Sequence, residues 1–230
     1  MRSAPPSFID VIRSRRSARK FLPTPMSPAD IASVLADAQT SPSNSNTQPW
    51  QVHVVSGAQR DAVSQDLLHA YEQDRESPDF SFDYGDGTYL KRSQEHGAVL
   101  YQAWGVERAD VEGRREVVRD NLRFYGAPHV TFLFMPKLGD GVRTAGDIGM
   151  YAQTFLLSLT ARGFHGIPQT VLGMYADIVR QNLGVSDDLK LLFGISFGTA
   201  DPTAAINDVH MHRLPLHESV FWHGHGESSA

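Results

Sequence analysis

The chain contains no cysteine, so disulfides, thiolate nucleophiles and cysteine metal sites are excluded at once. It also lacks an excess of positive charge, with 21 Lys and Arg against 26 Asp and Glu and a net charge of −5 over 230 residues. A chain with that balance is not built to bind nucleic acid or an anionic membrane over its whole surface, and any basic feature must be local. Long hydrophobic runs are missing too: the longest, such as Val130 to Met135, fall far short of a membrane span. The first twenty residues carry Arg2, Arg13, Arg15, Arg16, Arg19 and Lys20 with no apolar stretch long enough for a secretory leader. A soluble cytoplasmic protein is expected. Internal repeats and low-complexity linkers are also absent, so a single domain over residues 1–230 is the default.

What is present is patterned as a globular chain. Ser7 to Ser14 reads as a helix with Phe8, Val11 and Ile12 on one face, and Ser27-Pro28-Ala29-Asp30 opens a second that ends near Gln39. Between that helix and a strand at residues 50 to 55 lies "TSPSNSNTQPW" (40 to 50), a loop dense in small hydrogen-bonding side chains. A helix is expected over 59–71, then an exposed flap over 73–88 whose Phe80, Phe82 and Tyr84 want cover. Two amphipathic segments follow, 89–104 and 111–125. Val130 to Met135 is short and continuously apolar, as expected of a strand buried on both faces. A long helix over 144–162, a further one over 174–183, a strand over 189–197 and a weakly patterned tail from Asp201 complete the chain. Helices and strands mixed without a regular βαβ period predict an α+β fold, a central sheet packed by helices.

Four groups of residues invite chemistry. Arg13, Arg15, Arg16, Ser17, Arg19 and Lys20 stand with no acid between positions 11 and 29. Such a cluster is either a solvated cationic helix end, which the helix dipole favours, or an anion site in which guanidiniums and a hydroxyl bind phosphate oxygens. Gly194-Ile195-Ser196-Phe197-Gly198 fits the hydrolase elbow G-x-S-x-G, with Asp201 or Asp208 and His210, His212 or His217 to follow. The elbow requires a helix after the serine; none is patterned there, and a strand residue is the stronger reading. Gly139-Asp140-Gly141 has its third glycine at 146, too late for a dinucleotide fingerprint, and reads as a turn. His210, His212, His217, His223 and His225 lack metal-ligand spacing and read as exposed tail residues, so no metal is expected.

Taken together, six motifs in order carry a resemblance: "RRSAR" (15 to 19), "SPSNSNTQPW" (41 to 50), "FYGAP" (124 to 128), "DIGMYAQ" (147 to 153), "GFHGIPQT" (163 to 170) and "NDVHMHRLPLHESVFWHG" (207 to 224). Over nearly its whole length the chain resembles the nitroreductase superfamily of FMN-dependent oxidoreductases, especially members similar to nitrobenzoate reductases. The resemblance implies a mostly antiparallel sheet packed by helices in an interlocked homodimer. An insertion or flap would span about 73–125, and the tail over 201–230 would pack on the partner subunit. It implies FMN at the subunit interface, its phosphate held by Arg15, Arg16, Ser17, Arg19 and Arg213. Pro42, Ser43, Asn44, Asn46 and Gln48 of the partner's loop would reach the flavin, since amides donate and accept at once. Pro168, Gln169 and Thr170 would lie along the ring, where a backbone N–H can tune it.

The implied reaction is a two-step, ping-pong exchange in which NAD(P)H reduces the flavin and a nitroaromatic or similar electron-poor acceptor then takes two electrons. No catalytic side chain is named, because the flavin carries the chemistry. Ser45, Tyr84, Tyr89, Phe124 and Tyr125 are candidates for the acceptor's surroundings, and the same aromatic residues read equally as ordinary packing. The alternatives are reduction of flavin, quinone, enone or halogenated acceptors on the same scaffold, or a flavin-binding protein of low turnover. One departure stands out: the family tail reads N-x-x-R-x-x-R, and here its first arginine is replaced by His210.

Overall fold

The structure, a computed structural model, describes residues 6–224. Arg2, His225 and the end of the tail therefore lie outside the described residues. Helix α1 (Phe8–Ser14) is closed by a capping box: Ser7 Oγ accepts from the Asp10 amide at 3.2 Å, and the Asp10 carboxylate accepts from the Ser7 amide. In α2 (Pro28–Ala38) Ser27 plays the same part with Pro28 in the first turn. A short 3-10 turn at Asn44–Asn46 precedes β1 (Gln51–Ser56), α3 (Gly57–Glu72), α4 (Thr88–Ala103) and α5 (Val111–Leu122). Then come β2 (His129–Pro136), α6 (Val142–Ala161), β3 (His165–Gln169), α7 (Ala176–Leu183) and β4 (Leu189–Gly198).

The sheet order is β1-β2-β4-β3, and every pairing is antiparallel. Antiparallel sheets often leave one face wet, but here helices cover both. On one side Val130, Phe132 and Phe134 of β2 meet α3, α7 and the end of α5. On the other, Leu133 and Met135 meet α2 and the long α6 through Ile148, Tyr151, Phe155 and Leu159. That two-sided burial explains the unbroken apolar run seen in the sequence. A bulge between Leu133 and Phe134 shifts their β4 partners from Phe193 to Leu191.

Three details depart from the sequence expectations. His165–Gln169, expected only as a motif, is an edge strand. Its single proline and short length hide it from periodicity, and pairing with β4 is what makes it extended. The second amphipathic segment stops at Leu122 instead of reaching Tyr125, because Phe124 and Tyr125 turn left-handed at φ 62° and 53°. That turn lets the Tyr125 carbonyl accept from the Phe21 amide at 3.2 Å. The long helix starts two residues early, at Val142, after Gly141 at φ 78°, where a Cβ would come within 2.8 Å of Met135 Cε. Among the described residues no helix is long and apolar enough to cross a membrane, and no cluster of His, Asp and Glu could hold a metal ion.

Candidate functional site

The basic segment after α1 runs along the open edge of the sheet. Ser17 bridges in parallel to Gly166 of β3, and Phe21 bridges to Ala200 just beyond β4. Gly166 permits this close layering: a Cβ there would lie 2.9 Å from Leu156 and 3.0 Å from Leu159 of α6. The buried Asn207 fastens the same segment from the tail. Its Oδ1 accepts from the Arg19 amide at 2.7 Å, and its Nδ2 donates to the Lys20 and Asp201 carbonyls at 2.8 and 2.9 Å.

Fixed this way, the arginines converge. Burial and the neighbouring Arg213 both push Arg15 below its ordinary pKa. Burial does the same to Arg19, opposed by the Tyr125 hydroxyl. Burial in turn raises Tyr125 to about 12, with Arg19 pulling the other way. Arg16 lies close enough to His165 to depress that imidazole further than burial alone, and its Nε is buried with no partner. Among the described residues Arg213 donates to the Met211 and His212 carbonyls of its own turn. Among the described residues none of Arg15, Arg16, Arg19 or Arg213 meets a carboxylate. Several desolvated guanidiniums without an acid, one with an orphaned buried nitrogen, form a site that an anion such as phosphate would complete.

Next along β3, Pro168 and Thr170 are exposed while Gln169 is buried. The Gln169 side chain is fully engaged inward: its Nε2 donates to the Asn121 carbonyl at 2.8 Å and side-chain oxygen at 2.6 Å, and its Oε1 accepts from the Ser196 hydroxyl. The Gln169 side chain is therefore not free to face a ligand, whereas Pro168 and Thr170 on either side of it are exposed. The same bond disposes of the hydrolase reading. Ser196 is enclosed in the middle of β4, paired on one side with Val130 and on the other with Ile167.

The polar loop is rigidly seated but turned outward. Ser41 donates to Thr154 Oγ1 at 2.8 Å, the buried Asp147 accepts from the Asn44 amide at 3.0 Å, and Ser43 Oγ accepts from the Gln48 amide at 2.9 Å. Trp50 donates to Gln39 at 2.7 Å and packs on Tyr151. Ser45, Asn46 and Gln48 hold left-handed backbones at φ 51°, 55° and 47°, each costing on the order of 1 kcal/mol outside glycine. Pro42, Asn44, Ser45, Asn46 and Gln48 remain exposed, and Ser43 is half-buried. The loop bonds to α6 and to itself and not to the basic cluster of its own chain.

The aromatic candidates scatter. Tyr125 stacks at 6.2 Å on Trp104 and lines a cavity of ≈ 1220 Å³ between α4 and α5. Tyr84 is exposed and meets only Phe82 edge-on, and Tyr89 lies in the open beside Arg92. Phe124 is closed inside the core between Phe132 and the Arg60 guanidinium and presents no face to a ligand. Four positioning residues escaped the sequence reading: Asn121, Asp147, Gly166 and Asn207. All four act through contacts more than 45 residues away along the chain. The placement of Asp147, Gly166 and Asn207 within three of the quoted motifs could have pointed to them, while Asn121 lies in none.

The profile of the nitroreductase family matches residues 12–199, and the chain belongs to that family. It is 44% identical over 212 residues to nitroreductase NfnB of Mycolicibacterium smegmatis, covering 91% of this chain and 90% of that protein. With 4-nitrobenzoate reductase of Pseudomonas putida it shares 32% over 207 residues, 90% and 91% of the two chains. Its fold superposes with a TM-score of 0.90, at 42% identity over 94% of this chain and 97% of the other, on the crystal structure of the FMN-dependent nitroreductase NfnB from Mycobacterium smegmatis in complex with NADPH.

Proposed function

We propose that this chain is an FMN-dependent oxidoreductase that uses NAD(P)H to reduce nitroaromatic or similar electron-poor acceptors in the cytoplasm. The observation that carries the reading is the set of unneutralised arginines against the β3 edge, in a chain whose 44%-identical relative is a nitroreductase. Arg15, Arg16, Ser17, Arg19 and Arg213 hold the flavin phosphate. Gly166, where Ser17 bridges, is three residues from Gln169, about 10 Å at the strand rise. The phosphate and the ring can therefore occupy successive stretches of one edge. Pro168, Gln169 and Thr170 lie along the ring and orient it. FMN, when bound there, would supply two-electron chemistry between NAD(P)H and the acceptor.

The loop residues Pro42, Ser43, Asn44, Asn46 and Gln48 serve the site of a second copy, a reading supported by their exposure and by hydrogen bonds that run to α6 and within the loop and not to their own basic cluster. Exposed apolar side chains on α1 (Phe8, Ile9, Ile12) and in the tail (Leu216, Phe221) support an interlocked homodimer with FMN at the interface, since a patch of that kind calls for cover. Ser45, Tyr84, Tyr89 and Tyr125 border the acceptor. Donor and acceptor share one open face and take turns, so initial-rate plots against both should be parallel. The chain acts as one domain, with 73–125 as its excursion.

The purified protein should be yellow, dimeric on size exclusion, and bleached by NADPH or NADH without oxygen. A protein that FMN cannot reconstitute would end the reading, and bound FMN that neither nucleotide bleaches would leave a flavin carrier in its place. A monomer that keeps FMN would remove the interface claim.

A further inference from the structure

One residue of the excursion faces the basic cluster and stands outside the set of phosphate ligands named above. Arg92, His96 and Leu100 follow one another at intervals of four on α4 and so share a helix face. Its two flanking members show which way that face points. Arg92 reaches Glu218 of the tail at 4.0 Å, and Leu100 is buried. His96 between them lines the α4–α5 cavity together with Tyr125, the residue whose hydroxyl meets Arg19. Partial burial and then the charges of Arg19 and Arg213 hold the imidazole below its ordinary pKa. The nearest acid on α4, Glu95, pairs with Lys91 at 3.9 Å. Held toward its neutral form near two guanidiniums that pair with no carboxylate among the described residues, the imidazole is placed to offer a ring N–H to an anion they would share.

We propose that His96 is a further ligand of the flavin phosphate, donating a ring N–H from α4 to the anion that Arg15, Arg19 and Arg213 hold from the strand edge and the tail. The proposal rests on the reading of that cluster as the phosphate site. It also gives the excursion a second role, in which α4 closes over the phosphate end of the cofactor as well as bounding the cavity. Being a donor in either protonation state, a histidine can serve there without a permanent charge.

Dissociation constants of FMN and of riboflavin, which lacks the phosphate, measured by fluorescence on the full-length protein, test this directly. His96→Ala should weaken FMN about five- to tenfold and leave riboflavin unchanged, and His96→Gln, which keeps an N–H donor, should fall between. Arg213→Ala should lower the ratio of FMN affinity to riboflavin affinity further. If the ratio stays at the wild-type value in both His96 variants but falls in Arg213→Ala, His96 is no ligand and the phosphate site stands. An unchanged ratio in Arg213→Ala as well would overturn both. Should His96→Ala fail to fold, His96→Gln decides alone, supported by the 31P resonance of bound FMN, which should shift if His96 touches the phosphate and stay fixed if it does not.

Discussion

Two groups of arginines on this molecule differ in what faces the guanidinium. Around Arg119 every positive charge is answered. Its Nε meets Glu72 at 2.7 Å, its NH1 reaches Glu116 at 3.1 Å and also Glu112, and Arg115 and Arg123 join through Glu72, Glu116 and Asp120. These partners raise Arg119 and Arg123 above their ordinary pKa and hold Glu72 and Glu116 below theirs. Burial instead lowers Arg15 and Arg19, Arg15 further by the charge of Arg213, and no acid intervenes. The first group is a solvated network that holds α3 and α5 together. The second keeps its charge unspent at the sheet edge, at some expense to the stability of the empty protein.

The sharpest way to break the contrast is to put an acid into the bare cluster. Ser17→Asp should abolish FMN retention, a loss beyond a hundredfold by fluorescence titration, while the melting temperature of the flavin-free protein holds or rises. Next in size, Arg213→Ala should weaken FMN ten- to hundredfold, about 1.5–3 kcal/mol for one charged hydrogen-bond pair, and a yellow stoichiometric variant would remove Arg213 from the site. The mirror experiment, Arg119→Ala, should leave FMN affinity within about twofold and lower the melting temperature only modestly, because the guanidinium is half-buried but its partners Glu72, Glu112 and Glu116 are solvated.

The smallest effect belongs to a group that arginine cannot imitate. His129 accepts from the Met26 amide at 2.9 Å through Nε2 and bonds Ser56 through Nδ1, and burial lowers its pKa. The unfolded chain therefore takes up a proton below its ordinary value of about 6.5 before the folded chain does. Stability is fully present above that pH and declines as the pH falls toward the folded pKa. A His129→Asn variant should show a flatter melting temperature between pH 7.5 and 5.5 than the wild type. His53 and His165, depressed by burial in the same direction, add to the wild-type slope.

Much of the architecture was legible because its signals are local. The capping residues Ser7 and Ser27, the apolar stripe of α6 and the continuous run of β2 announce their elements within a few residues. The edge strand β3 was not legible as a strand, because its extension comes from β4 and not from its own alternation. At the site, the basic segment and the amide loop were visible as odd compositions. That Phe124 is core and Tyr125 is lining could not be told from two adjacent aromatics. A left-handed turn decides it, and turns of that kind in bulky residues leave no pattern.

By itself the sequence determined the order of the elements other than β3, the family, and the surplus of cation without acid between positions 11 and 29. Only the tertiary structure decided that this cation is gathered at one edge. Arg15 and Arg19, Arg213, and His96 come from three segments that meet because Ser17 bridges Gly166, Asn207 bonds residues near 20, and Arg92 reaches Glu218. Long-range contacts of that kind depend on backbone geometry that no short stretch of residues encodes alone, whereas caps and periodicity depend on neighbours a turn away.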